Sequence, residues 1–206
     1  ELSFSKQFQS DTGAGLAIIK YSPDGTSLYT DWNPNLAETN RYDYFLKTVN
    51  NAKAAATSRG WSLDISGVLW MQGESDTFGT DAPAAYEQNL STFIAKVRND
   101  LNLPNLDFHI AQIADTNSWP ARQKIWDAQK SIVAMDSNAY LVNGKDLPLF
   151  TDDGLQIKDT HYTTEGTILL GERFANSVAS TATIAAYPAP TADNVSTVKN
   201  QPVTID

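Results

Sequence analysis

Short apolar runs alternate with amphipathic helical patterns along most of this 206-residue chain, and that alternation restricts its fold more than any other feature. The runs at 16–19, 65–70, 108–113 and 140–142 are brief, rich in β-branched or aromatic residues, and bounded by turn formers. That pattern predicts buried strands. Between them, Tyr42, Phe45, Leu46, Val49, Ala52 and Ala56 fall on one face of a helix ending near Gly60. Tyr86, Leu90, Phe93, Ile94, Val97 and Leu101 mark a second helix, with Pro83 near its first turn. Ser118 can cap a third, which has Pro120 near its start, and a fourth runs from about Thr164 through Ile168, Phe174 and Val178. Strand–helix alternation of this kind predicts an α/β protein: a parallel sheet with helices on both faces. Such sheets bind ligands beyond the carboxyl ends of their strands, so the loops that follow the strands are where chemistry is expected.

Composition removes several functions. Lys and Arg number 15 against 24 Asp and Glu, a formal net charge of -9. Nucleic-acid binding and adhesion to anionic membranes both need clustered cations, so neither is expected. No apolar run approaches the ~18 residues of a membrane span, which excludes membrane insertion by a helix. The absence of Cys removes disulfides, thiolate metal sites and cysteine nucleophiles together. With His109 and His161 as the only histidines, a multi-histidine metal centre is excluded, and no cofactor or metal is expected.

The chain opens Glu1-Leu2-Ser3-Phe4 without an initiator Met or signal-peptide pattern, as in a mature product or a fragment of something longer. Beyond Ala186 the composition changes, with three Pro and no helical periodicity. The expected organisation is one domain over 1–186, followed by a linker at 187–206 that leads toward a β-rich module.

Three loops are distinctive. Tyr21-Ser22-Pro23-Asp24-Gly25-Thr26-Ser27-Leu28 follows the first run, and its Gly25 can present a bare backbone N–H to a ligand. An ordinary turn is the competing reading. Trp70-Met71-Gln72-Gly73-Glu74-Ser75-Asp76 leaves the second run. Gln72 offers an amide that can donate to a developing oxyanion, whereas an ionised Glu74 only accepts and suits orienting neighbours or binding sugar hydroxyls. Glu74 and Asp76 can instead cap the following helix, the favoured reading for Asp76. Ser75 lacks a Gly-x-Ser-x-Gly setting and is a poor nucleophile candidate. The third loop, Lys158-Asp159-Thr160-His161-Tyr162, sets an acid beside an imidazole, the arrangement by which hydrolases hold the tautomer and stabilise the cation of a base. His109 lies inside an apolar run and reads as a core histidine.

Taken in order, these loops, with Trp32 and the later Gly171-Glu172-Arg173-Phe174-Ala175, resemble the carbohydrate acetylesterases of the sialate O-acetylesterase and acetyl xylan esterase type, in the SGNH hydrolase superfamily. The resemblance spans residues 1 to about 180 and is most specific in Trp70-Met71-Gln72-Gly73-Glu74-Ser75-Asp76. It implies a flavodoxin-like three-layer α/β/α sandwich with a mostly parallel sheet. It also implies ester hydrolysis through a serine acyl-enzyme, with an acetylated carbohydrate as substrate. Carried onto this chain, His161 is the general base, Asp159 orients it, and Gly25 N–H and the Gln72 side chain are oxyanion donors. Thr26 and Glu74 fall to binding or supporting roles.

Two departures stand out. Many members space the pair Asp-x-x-His, but position 158 is Lys and the acid is at 159, so Asp152 or Asp153 is an alternative partner for His161. The family's nucleophile lies in a Gly-x-Ser-type block on the first strand, and these 206 residues contain no such block. The expectation is that an upstream segment of the same domain supplies the serine, and that this chain alone is inactive. A non-catalytic carbohydrate-binding or adhesion module on the esterase fold is the alternative. The final residues, from Lys199 to Asp206, resemble the opening of a cadherin-like or immunoglobulin-like repeat, which implies a secreted or cell-surface bacterial parent with several domains.

Overall fold

A computed structural model describes residues 1–36, 41–151 and 159–181. Its centre is a sheet of three parallel strands, β1 (Gly67–Met71), β2 (Asp107–Ala111) and β3 (Ala139–Val142), in the order β1-β2-β3. Parallel neighbours need long crossovers. Helix α3 (Asp81–Asp100) joins β1 to β2, and helix α4 (Arg122–Met135) joins β2 to β3. Register pairs Met71 with Ala111, and Ala111 with Val142, so the three strands deliver their exit loops side by side at one edge. Helix α2 (Arg41–Thr57) precedes β1, helix α5 (Thr164–Thr181) follows β3, and helix α1 (Leu2–Thr12) opens the chain. No helix among the described residues is long and apolar enough to cross a membrane.

Period-2 and period-3.6 patterns meet in two cores. On one sheet face Trp70, Phe108 and Ile110 pack with Tyr42 and Val49 of α2, Leu90 and Phe93 of α3, and Ile125 and Ile132 of α4. Phe93 is the hub, its ring 4.4 Å from Trp70 and 6.1 Å from Trp32, centroid to centroid. On the other face Ala111 and Val142 pack with Phe4 of α1 and with Phe174 and Ala175 of α5. Helices thus cover both faces of a parallel sheet, the α/β arrangement expected from the alternation.

The structure corrects three local expectations. The run at 16–19 forms no strand among the described residues. Its side chains divide between layers, Leu16 packing toward the α1/α5 core and Ile19 toward the α2/α3/α4 core, while Ile18 is exposed. Side chains on both layers are also what a strand presents, so what the run lacks is a ladder partner among the described residues. The third helix starts at Arg122 with Ala121 as its N-cap, so Ser118 does not cap it, and the Ser118 N–H instead donates to Thr116 Oγ1 at 3.2 Å. Helix α1 went unread. Its signal is Phe4 and Phe8 one turn apart, stacked at 6.0 Å, with Gly13 closing the helix at a φ of 68°. The 1–186 boundary and the 187–206 tail lie outside the described residues.

His109 is the core histidine that the sequence suggests. It is buried in β2, its Nδ1 lies 2.7 Å from Ser177 Oγ on α5, and its ring stacks on Tyr140 at 5.1 Å. Burial lowers its pKa to about 4, with Asp107 opposing. Below an ordinary value of 6.5 the unfolded chain therefore takes up a proton that the folded chain refuses. This contribution favours the fold at neutral pH and is lost as pH falls from about 6.5 toward 4, by on the order of 3 kcal/mol. The imidazole of His109 should titrate near 4 by NMR in the folded protein, and His109→Gln should flatten the fall in denaturation midpoint over that range. A resonance titrating near 6.5 would refute the assignment.

Candidate active site

At the carboxyl end of β1, Gln72 is buried and its carbonyl accepts the hydroxyl of the fully buried Tyr86 at 2.9 Å. Gly73 then turns the chain with a φ of 141°, and a Cβ there would stand 2.7 Å from Ile125 Cγ2. Only glycine combines that angle with that approach. The turn leads into a single 3-10 turn, Ser75–Thr77, which buries Asp76 completely.

Asp76 does not cap the helix that follows it. Its Oδ2 accepts the Leu28 N–H at 2.7 Å and the Gln72 amide at 2.5 Å, and its Oδ1 accepts the Tyr29 N–H at 2.9 Å. Glu74 makes no side-chain capping bond either. Burial pushes the Asp76 carboxyl pKa up, while the amide of Gln72 and the N–H groups of Leu28 and Tyr29 pull it back. The second Gln72 amide hydrogen goes to Thr26 O at 3.1 Å, leaving Gln72 Oε1 buried without a partner among the described residues. Thr26 Oγ1 accepts the indole N–H of Trp32 at 2.9 Å, and Asp31 Oδ2 accepts the Ser27 N–H at 2.8 Å. The first loop is therefore bound to the second. Gly25 sits at its exposed tip with a φ of 62° and open space where a side chain would be, and its N–H has no partner among the described residues.

The third loop is anchored through its main chain. Leu149 and Tyr162 form an antiparallel bridge, the Phe150 N–H donates to His161 O at 2.9 Å, and the Asp159 N–H donates to Phe150 O at 3.1 Å. This places Asp159 and His161 on one short exposed strap, Asp159 with a left-handed φ of 56°. The Tyr162 hydroxyl donates to Gly144 O at 2.9 Å, on the exit of β3. Gly144 packs on the exit of β2, where any Cβ would overlap Gln112 O. Burial, and next the charge of Glu74, raise the Tyr162 pKa, with Arg173 opposing. Glu74 thus lies within electrostatic reach of the His161 strap. Burial is also the main cause pushing the Glu74 carboxyl up, and Asp76 adds to it. Asp152 and Asp153 lie outside the described residues, as does Lys158. Among the described residues no group of three His, Cys, Asp or Glu could hold a metal ion.

The exposed His161 and Asp159, the Gly25 N–H at a loop tip and the buried Gln72 carboxamide are residue types that acyl-transfer sites employ. The model of a family described as carbohydrate esterase, sialic acid-specific acetylesterase, matches residues 1–180. The chain belongs to that family. A probable carbohydrate esterase of Arabidopsis thaliana is 34% identical over 128 residues, covering 62% of this chain and 45% of the relative. An X-ray structure of a protein from Arabidopsis thaliana superposes with a TM-score of 0.72 at 27% identity, covering 86% of this chain and 66% of that one. The chain thus spans about half the length of the curated relative and about two thirds of the solved one.

For a member of this carbohydrate esterase family, the residue that sequence reasoning undervalued is Asp76. Its signal was an acid four residues after Gln72 with no partner nearby in sequence. Asp76→Asn should leave one or more of its donors unpaired, at about 1–3 kcal/mol each. Denaturant unfolding should register the loss, and hydrogen exchange at the Leu28 and Tyr29 amides should quicken. Unchanged exchange at both amides would show that the loop is held some other way.

Proposed function

We propose that this chain carries the base, orienting acid and oxyanion donors of a serine-type carbohydrate esterase that removes O-acetyl groups from sugars. The observation that carries the reading is the family match over 1–180, and the side-by-side exits of the three parallel strands support it. The nucleophilic serine comes from a segment upstream of Glu1. Supporting this, β1 pairs only with β2 among the described residues, and Leu69 on β1 is 38% exposed although its neighbours are core. A strand along that edge would cover it and satisfy its ladder groups. The parent is secreted or displayed at the cell surface.

In this reading His161 takes the proton as the serine oxygen attacks the acetyl carbonyl. It returns the proton to the sugar oxygen as the C–O bond breaks, leaving an acetyl-enzyme and a free hydroxyl. Water, activated by the same imidazole, then releases acetate. Asp159, or Asp152 or Asp153, supports the imidazolium. The Gly25 N–H faces the developing oxyanion without giving up another bond. Gln72 joins it by exchanging its 3.1 Å bond to Thr26 O, the longer of its two, for the stronger charged acceptor. Thr26 and Glu74 shape the surroundings.

Residues 1–206 alone should resist a serine-directed fluorophosphonate, and the protein extended upstream should take the label on a serine before Glu1. Labelling of Ser27 or Ser75 in the short chain would overturn the fragment reading. No label on either form would favour a non-catalytic binding module. In the extended protein His161→Ala should lower turnover by about 10⁴-fold without changing the fold. Asp159→Asn, Asp152→Asn and Asp153→Asn, compared by turnover, should single out one acid, and equal activity in all three would remove the supported-imidazole step.

A further inference from the structure

The rim of the site carries an aromatic pair that the catalytic reading does not use. Phe78, two residues after Asp76, is 53% exposed although it is one of the larger apolar side chains. A single exposed Phe is ordinary. This one stands in T-shaped contact with Trp119, with centroids 6.1 Å apart and planes at 84°. The two rings come from different exits: Phe78 from β1, Trp119 from β2. They therefore span two loops at the edge where a parallel sheet binds its ligand.

The pair is braced. Trp119 packs against the α2/α3/α4 core, its backbone N–H donates to Thr116 O at 3.2 Å, and its carbonyl accepts the Arg122 backbone N–H at 3.2 Å. Gly79, with a φ of 74°, turns the chain just after Phe78 and has nothing within 4 Å of where a side chain would be. Polar groups lie on the loop that carries Trp119. Arg122 Nε donates to Asp115 Oδ1 at 2.7 Å and its Nη2 to Asn117 Oδ1 at 3.3 Å. Asp115 Oδ2 and the Asn117 amide have no partner among the described residues, an acceptor and a donor side by side on exposed residues.

We propose that Phe78 and Trp119 form a stacking subsite for an uncharged pyranose of the acetylated glycan, with Asp115 and Asn117 on its hydroxyls. The proposal rests on the carbohydrate-esterase reading and adds the place and charge of the sugar. A pyranose has one face of C–H bonds that suits a ring face, and hydroxyls at its rim that suit paired donors and acceptors. The exposed carboxylate of Asp115 repels an acidic sugar, and Arg122, the first residue of α4, is already paired with it.

The test uses the protein extended upstream, with three probes: an acetylated xylo-oligosaccharide, an O-acetylated sialoside, and an aryl acetate that has no sugar. Phe78→Ala should lower kcat/KM for the xylo-oligosaccharide roughly tenfold relative to the aryl acetate, through KM, and Phe78→Tyr should restore it. The sialoside should be the poorer of the two glycans. In parallel, the Trp119 indole N–H resonance, assigned with Trp119→Phe, should shift as the xylo-oligosaccharide is added. Hydrolysis that is indifferent to Phe78→Ala, with a silent Trp119 resonance, would overturn the subsite and leave the esterase reading standing. A Trp119 shift without any hydrolysis would keep the subsite and overturn the esterase. Preference for the sialoside would overturn the uncharged sugar.

Discussion

A fully buried carboxylate with three donors holds the first two loops together. Asp76 has no counter-cation among its hydrogen-bond partners; its charge is met by two backbone N–H groups and one carboxamide. A buried charge of this kind is tolerable only while every donor stays in place, because losing one leaves both it and the carboxylate short of a partner. The segment at 27–29 is therefore fastened to the exit of β1 although nearly fifty residues lie between them. Gly25 inherits its position from that attachment, since it sits at the tip of a loop whose base cannot move.

The opposite side of the site is organised differently. The strap that carries His161 and Asp159 is held by backbone bonds with Phe150 and by the Leu149–Tyr162 bridge. Tyr162 links this strap to the sheet through Gly144, whose missing side chain lets the exits of β2 and β3 come together. One half of the site is thus locked by electrostatics in the interior and the other by main-chain pairing at the surface.

Periodicity made α2, α3, α4, α5 and the three strands legible, because each buries a face long enough to repeat. It failed at the run 16–19, which sends Leu16 to one core and Ile19 to the other as a strand would, yet forms no strand among the described residues. Helix α1 has a sparse apolar face, Phe4 and Phe8 with little else, and its clearest mark is the glycine that ends it. Asp76 was misread for a third reason. Local reasoning assigns an acid beside a helix to a cap, whereas its partners here lie across the fold, where no sequence spacing reveals them. Gln72, Glu74, Asp159 and His161 could be chosen from residue chemistry and loop position, and the resemblance ordered them. That both Gln72 amide hydrogens are already engaged could be learned only from the coordinates.

Helix α1 lies against α5, so closely that a side chain on Gly171 would strike Ser3 and the Phe4 backbone. The two helices are separated by almost the entire described chain, which makes this a contact that synthesis itself delays. A ribosome adding about 5–20 residues each second needs on the order of ten seconds to pass from one to the other. Through that interval Phe4 and Phe8 have no helix to cover them, and the sheet face they will share with α5 is bare. Docking of α1 on α5 therefore waits until α5 has been made, and the apolar face of α1 stays without that partner until then.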